Sequence, residues 1–387
     1  MKIVHVCLCG SFGEQYAYQD NLLPRYHKLL GHSVTVIAPT YSTINPNTGK
    51  LEEDLSGKKV LQDGVTLIRL KPFLFKWINI RLHLFKGLYN ALCEEKPELL
   101  FVHGLDSLTY RSVIKYHHKK PSVTVVFDNH ADWENSYHSI FSLLWVKLLI
   151  NPLIVRPTFA FTKFYYGVTP ARCDLLVSLY KVPSDRVKLL PMGADDVYLD
   201  VASRDIHREE IRNKYNIDKE DFLIVTGGKI DTRKNIHVLS DAVAELYIPN
   251  VKLLIFGSIS DDLKPFFNNL HSDNVILTGW VPSTDVYRYF HAADLVFFPG
   301  LHSVLWEQAI ASQVPCVFTM IKGFEHVNFN NNCVFLQEIS KDSCKKTIET
   351  LHNDKSYYLK LKENAESKKA LDFTYSKIAK SIIEDIG

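Results

Sequence analysis

PGLHSVLWEQAIASQVPCVF, Pro299 to Phe318, follows the apolar run ADLVFF at residues 293–298 and places a turn, a helix and a further strand one after another. Residues 293–298 read as a buried strand, 306–312 as a helix and 315–318 as the next strand. That order belongs to an α/β fold with a parallel sheet. Ligands of such sheets gather beyond the carboxyl ends of the strands, so Glu307, at the strand-to-helix transition, falls where a carboxylate could meet a ligand. The plain alternative is a solvated helical side chain.

A second stretch, FLIVTGGKIDTRKN from Phe222 to Asn235, changes that balance. A buried-strand run opens into two glycines and a loop carrying Lys229, Arg233 and Lys234. Glycine lets backbone approach a ligand closely, and cations beside exposed amides suit a diphosphate.

Working outward, strand patterns at 3–8, 33–37, 66–70, 99–102 and 123–127 alternate with helical ones, and a second series follows at 223–226, 252–256, 274–278, 295–298 and 316–318. This predicts an α/β chain of two Rossmann-like halves. The join falls near LLPMGADDVYLD, giving a first domain over 1–194, a second over 195–371, and a terminal helical segment, 372–387, returning to the first. A chain of 387 residues exceeds what one core normally serves, which agrees with two domains.

Composition narrows the function. Hydrophobic content of 46% with 23% charged residues is that of a globular enzyme, and a net charge of +2 with interspersed signs argues against nucleic-acid binding. Seven scattered cysteines without paired spacing favour a reducing compartment over a disulfide framework. The opening MKIVHVCLCG reads as a first buried strand, not a signal peptide. Its exit, CGSFGEQYAYQ, lacks the dinucleotide spacing, which disfavours NAD. No Asp-x-Asp triplet and no zinc-type spacing occurs, so neither metal nor cofactor is expected.

These segments, with GHSVTVIAP, FDNHAD, LLPMGAD and GWVPSTDVYRYFHAADLVFFPG, make the chain resemble a retaining nucleotide-sugar glycosyltransferase of family 4, over nearly its whole length. The resemblance implies a GT-B fold, two Rossmann-like domains whose parallel sheets face a central cleft. It implies that Gly228, Lys229 and Lys234 bind the donor diphosphate, that Glu307 holds the donor ribose, and that Gly13 approaches the phosphates from the opposite domain. It places the nucleobase by Trp280 and Val281, and His130 beside the donor sugar and acceptor. Asp128 would orient His130 or an acceptor hydroxyl, with a turn-forming role for Asp128 and Asn129 equally open, and His103 would lie on the acceptor side.

One departure stands out. The family's first glutamate is Pro299 here, and a Gly300–Ser303 turn replaces the usual stretch, leaving His302 and Ser303 as the nearest substitutes for contacts to the sugar. The family's same-face mechanism needs no protein nucleophile, since the leaving phosphate takes the acceptor's proton. UDP-sugars are the commoner donors, with GDP-sugars open, and the acceptor would be a glycan or lipid-linked glycan of surface polysaccharide synthesis on the cytoplasmic side. The alternatives are a GT-B nucleotide-sugar epimerase and a catalytically silent nucleotide- or glycan-binding subunit of another transferase.

Two apolar segments bear on a membrane. Lys76, Asn79, His83, Lys86 and Asn90 recur at helical spacing in an otherwise apolar stretch to Leu92, predicting a helix that packs on the sheet or rests on an anionic membrane. The stretch 139–155, broken by Lys147, Asn151 and Pro152, reads as too interrupted to span a bilayer; core packing leads, and it is apolar enough to line a lipid acceptor's path or rest on a membrane surface.

Overall fold

A computed structural model describes the chain except residues 11, 15–16, 45–50, 76–78, 80–81, 134–135 and 137–138. The chain divides into two compact units, Met1–Pro191 with Ile378–Gly387, and Met192–Lys377.

The first unit is built on an eight-stranded sheet. Its strands are β1 (Lys2–Cys7), β2 (Ser33–Pro39), β5 (Lys58–Val60), β6 (Thr66–Leu70), β7 (Leu99–His103), β8 (Thr124–Asn129), β9 (Thr162–Gly167) and β10 (Val187–Leu189), while β3 (Tyr41–Ile44) and β4 (Leu51–Glu53) form a separate antiparallel pair. The order is β10-β9-β8-β7-β1-β2-β6-β5, parallel except for the edge pair β5–β6. β1, KIVHVC, is buried along nearly its whole length because helices cover both faces of such a sheet. The chain order reverses between β1 and β7, so Cys7 and His103, paired in register, mark the point where a ligand crevice opens.

The second unit holds a six-stranded parallel sheet, β11 (Phe222–Ile230), β12 (Val251–Ile259), β13 (Val275–Gly279), β14 (Leu295–Phe298), β15 (Cys316–Thr319) and β16 (Cys333–Leu336), in the order β13-β12-β11-β14-β15-β16. Its switch point lies between β11 and β14. These strands pair only at Ile224↔Leu295 and Val225↔Val296 and then part, which leaves room at their carboxyl ends.

Several expectations need correction. β9, β16 and the short β3, β4 and β5 are absent from the sequence reading. β11 does not stop at Thr226: it continues beside β12 through Gly227, Gly228 and Lys229 to Ile230, so both glycines are strand residues. A Cβ on Gly257 would fall 1.8 Å from the Gly228 carbonyl oxygen, and Gly228 itself sits at φ +104. The two strands approach this closely because both positions are glycine.

The helix expected from Lys76 to Leu92 is not continuous. Lys76 lies outside the described residues, and the regular helix is Leu88–Glu95, entered through Gly87 at φ 91. Before it the chain folds back: Phe85 bridges to Pro72 and gives its N–H to Thr109 Oγ1 at 2.9 Å. The segment 139–155, by contrast, is more regular than its polar interruptions suggest. Residues Ile140–Thr158 form one helical run, long and apolar enough to cross a membrane by length and composition. Pro152 has no N–H to give, and the turns around it take the wider π spacing. Val146, Ile150 and Ile154 are buried in the unit's core, while Ile140, Phe141, Leu144 and Leu148 face outward.

The two units divide at Pro191, within the several residues around Ala194 where the join is expected. Ala194 gives its N–H to the Phe373 carbonyl and accepts from Tyr375 N, which ties it to the second unit's return segment. The terminal helix is Tyr375–Ile386, and its first residues stay with the second unit.

Candidate functional site

The two stretches that opened the sequence reading meet at the switch point of the second unit. Lys234 Nζ donates to the carbonyls of Leu301 at 2.6 Å and His302 at 3.2 Å, Asn235 Nδ2 donates to the Pro299 carbonyl at 3.1 Å, and Leu301 N donates to the Arg233 carbonyl at 3.2 Å. The loop after β11 and the turn after β14 are thus laced together. Gly227, Lys234, Gly300 and Ser303 line a small pocket there. Burial pulls the Lys234 ammonium down to about 8. Lys229 and Arg233 stay exposed beside it. Asp231 caps the loop by accepting from Arg233 N, and although burial would raise its carboxyl, the Arg233 hydrogen bond holds it below the usual range.

Glu307, expected in a ligand crevice, is neither open to that crevice nor the solvated helical side chain of the plain alternative. It is fully buried at the start of the helix Leu305–Ala311, and its Oε1 accepts from His302 Nε2 at 2.8 Å and His326 Nε2 at 2.9 Å. Burial would raise the carboxyl, but the charge and hydrogen bonds of His302 and His326 prevail and hold it at about 2. Its second oxygen, Oε2, has no hydrogen-bond partner among the described residues. His302 therefore serves as a ligand of Glu307, and Ser303 is the substitute that lines the pocket. His326, in a short 3₁₀ turn Glu325–Val327, escaped the sequence reading because nothing in its local pattern ties it to a residue nineteen positions away.

At the far edge of the same sheet, β13 ends in Gly279 at φ 76, and Trp280 is 70% exposed. Val281 is half-buried beside it. The ring is open to a stacking partner.

In the first unit the structure gathers Asp128, His130 and His103. Asp128 is buried, with Oδ1 accepting from Gly104 N at 2.9 Å and Oδ2 accepting from His103 Nδ1 at 2.7 Å and His130 Nε2 at 3.2 Å. Burial would raise its carboxyl, yet the two imidazoles hold it far below the usual carboxylate range. Asp128 thus orients His130, and the turn is made by Asn129, whose Oδ1 accepts from Ala131 N. His103, expected to face an acceptor, lies instead beneath the site, buried against Asp128, Asp20 and His5. Of the three only His130 reaches the surface to any degree. Gly13 is buried, with its carbonyl accepting from Asn21 Nδ2 at 2.9 Å.

Donor atoms of His302, Glu307 and His326, and of His103, Asp128 and His130, each lie within 4.8 Å of one another, a proximity that the spacing of these residues in the sequence does not show. Within both groups the carboxylate oxygen is hydrogen-bonded by the two ring nitrogens.

Comparison with known proteins agrees with this architecture. Residues 18–197 match the family model described as Glycosyltransferase Family 4, and residues 207–368 match that of Glycosyl transferases group 1. TuaC of Bacillus subtilis (strain 168), a glycosyltransferase named for teichuronic acid biosynthesis, is 30% identical over 175 residues, a match spanning 42% of either chain and so under half the length of that relative. Among solved structures, Anabaena Alr3699/HepE in complex with UDP superposes with a TM-score of 0.70 at 15% identity, covering 100% of this chain and 99% of that one. A glycosyltransferase from Rickettsia africae gives 0.71 at 15% identity, covering 99% and 97%. With two halves that match the two family models in turn, the chain belongs to the group 1 glycosyltransferases of the GT-B fold.

Proposed function

We propose that the protein is a retaining, metal-independent glycosyltransferase that moves a sugar from a nucleoside diphosphate, UDP in first place and GDP in second, to a glycan or lipid-linked acceptor. The observation that carries this reading is the lacing of the Lys229–Lys234 loop to the Pro299–Ser303 turn at the switch point of the second sheet. Exposed Lys229 and Arg233, with backbone amides released where the glycine strand ends, supply the charge a diphosphate needs both when bound and when departing. Trp280 offers a face to the base. UDP is favoured by the UDP-bound relative of the same fold.

Glu307 fits the ribose role through its unpartnered Oε2, but that atom has no solvent contact in this conformation. Ribose binding at Glu307 therefore requires the turn at Gly300–Ser303 to shift. On the acceptor side His130, held by Asp128, is the group placed to meet a hydroxyl. The outward apolar row Ile140, Phe141, Leu144 and Leu148 would rest on the cytoplasmic face of a membrane carrying a lipid-linked acceptor.

Calorimetric titration of UDP, GDP, ADP and NAD in chelator tests the donor assignment. One nucleoside diphosphate should bind at submillimolar concentration, and Lys229→Ala, an exposed site whose loss leaves the fold intact, should weaken it by about tenfold, or about 1.4 kcal/mol. Absence of binding by all four would overturn the reading. Pro299, where a carboxylate is expected, would then favour a silent partner subunit.

A further inference from the structure

Four buried or half-buried histidines of the first unit form a file that ends on the C-terminal helix. His5, in the middle of β1, places Nδ1 3.0 Å from His103 Nε2 and Nε2 3.0 Å from His27 Nδ1. His27, in the helix Gln19–Leu29, places Nε2 3.2 Å from the Ala379 carbonyl. At the other end His103 Nδ1 meets Asp128 Oδ2 at 2.7 Å and Asp20 Oδ1 at 3.2 Å. His130 then hangs from the same Asp128 oxygen.

Counting protons along this file gives a definite result. Its two ends accept only: a backbone carbonyl has no proton to give, and Asp128, which accepts from Gly104 N and has two imidazoles against its other oxygen, is held ionised. The three rings between those ends make four successive contacts: carboxylate to His103, His103 to His5, His5 to His27, and His27 to carbonyl. Each contact needs one N–H. Three neutral imidazoles carry only three, and a contact without a proton would set two buried lone pairs against each other, with the cost of an unmade hydrogen bond.

We propose that the file His103–His5–His27 carries one proton more than three neutral rings, held on His103 beside two carboxylates, and that this fixed imidazolium keeps Asp128 ionised beneath His130. The tautomers follow. His27 donates through Nε2 to Ala379, His5 donates through Nε2 to His27, and His103 donates through both nitrogens.

The surroundings place the charge where the count requires it. His103 faces Asp128 from β8, Asp20 from the helix Gln19–Leu29, Cys7 and His5 from β1, and packs on the Phe101 ring. Burial would lower it, but the Asp128 charge raises it well above 6.5. The nearby Cys7 thiol is pushed up to about 11 by burial and stays neutral. His5 and His27 have no carboxylate in direct contact among the described residues; their neighbours are each other, His103, His32 and the carbonyl, and burial lowers both, His27 to about 3.

His5, His27 and His103 are then positioning residues for His130, a consequence that rests on the acceptor-side role proposed above. With Asp128 anionic, His130 donates through Nε2, and its tautomer is set. The anchor at the far end is Ala379, so docking of the terminal helix supplies the acceptor that orients the whole file.

The test is ring ¹⁵N spectroscopy on the full chain labelled at histidine, at pH 7.5. His103 is expected doubly protonated, and His5 and His27 neutral with the proton on Nε2. A neutral His103, or the positive charge on His5 or His27, overturns the assignment. In a folded His5→Leu variant the His103 deprotonation midpoint should fall by at least one pH unit; an unchanged midpoint assigns the proton to the carboxylates alone and removes the file from the account. Zinc taken up stoichiometrically with loss of the imidazolium signals would overturn it also. Neither readout uses turnover or nucleotide binding, so failure of the transferase reading and failure of this one are separate results.

Discussion

A Cβ placed on Gly300 would fall 2.3 Å from the Lys234 Cα. The turn after β14 and the loop after β11 thus touch backbone to backbone, and the Lys234 ammonium closes the join by donating to two carbonyls of that turn. No side chain fits at 300. Gly300→Ala must push the loops apart, at a cost of about 1–3 kcal/mol as an overpacked contact. We expect a lower Tm and at least tenfold weaker nucleoside diphosphate binding, read by calorimetric titration. Unchanged affinity would show that the lacing does not shape the donor site.

Glu307 is a buried charge shared by two imidazoles, so removing it tests structure before binding. Glu307→Ala leaves His302 and His326 without their common acceptor and should cost about 3–5 kcal/mol of stability. Glu307→Gln keeps an acceptor and should cost less. Denaturant titration of both variants, followed by nucleotide binding to whichever remains folded, separates the roles: a stable Gln variant that no longer binds assigns Glu307 to the donor, whereas one that binds normally makes it a purely structural group.

Acid should destabilise the fold earlier than carboxylate protonation alone would. Burial depresses His5, His27 and His291, the last two to about 3, so the folded protein keeps them neutral where the unfolded chain protonates them near 6.5. Stability is complete above 6.5 and declines below it, by roughly 1.4 kcal/mol per pH unit for each such histidine. His103, raised, is protonated in both states below 6.5 and adds no slope there; its contribution is lost as pH rises from 6.5 through its folded value, which opposes the gain from the other histidines only above 6.5. Glu307, held at about 2 against 4.5, keeps its contribution through this window and loses it as pH falls from 4.5 through about 2. Unfolding free energies at pH 7.5, 6.5 and 5.5 check the slope, and a flat profile would contradict it.

The outward row of the helix Ile140–Thr158 predicts binding to a lipid surface. Ile140, Phe141 and Leu148 are 74%, 84% and 66% exposed, and Lys147 lies among them. A Phe141→Glu, Leu148→Glu double variant removes no core contact. It should reduce cosedimentation with anionic vesicles at least fivefold while leaving nucleotide binding unaltered. Equal sedimentation of both proteins would remove the membrane from the proposal.

The sequence by itself determined the architecture and the position of one loop pair. Continuous apolar runs such as KIVHVC and LLFVH can be satisfied only as strands covered on both faces, and their alternation with helices leaves a parallel α/β fold as the solution. Glycines in TGGK and PGLH mark places where backbone must come close, and both segments lie at the switch point. Short strands such as β5 and β16 were lost because three or four residues carry too little period to read.

Only the tertiary structure decided which charges face solvent. Glu307 and His103 look like surface groups at strand exits, yet each is buried against partners far along the chain, Glu307 on His326 and His103 on His5 and Asp128. A lone polar residue inside an apolar strand, as His5 is, signals only that something must satisfy it. Which ring does so depends on strand order and on the return of the terminal helix, and those are set by packing over hundreds of residues, which local spacing does not carry.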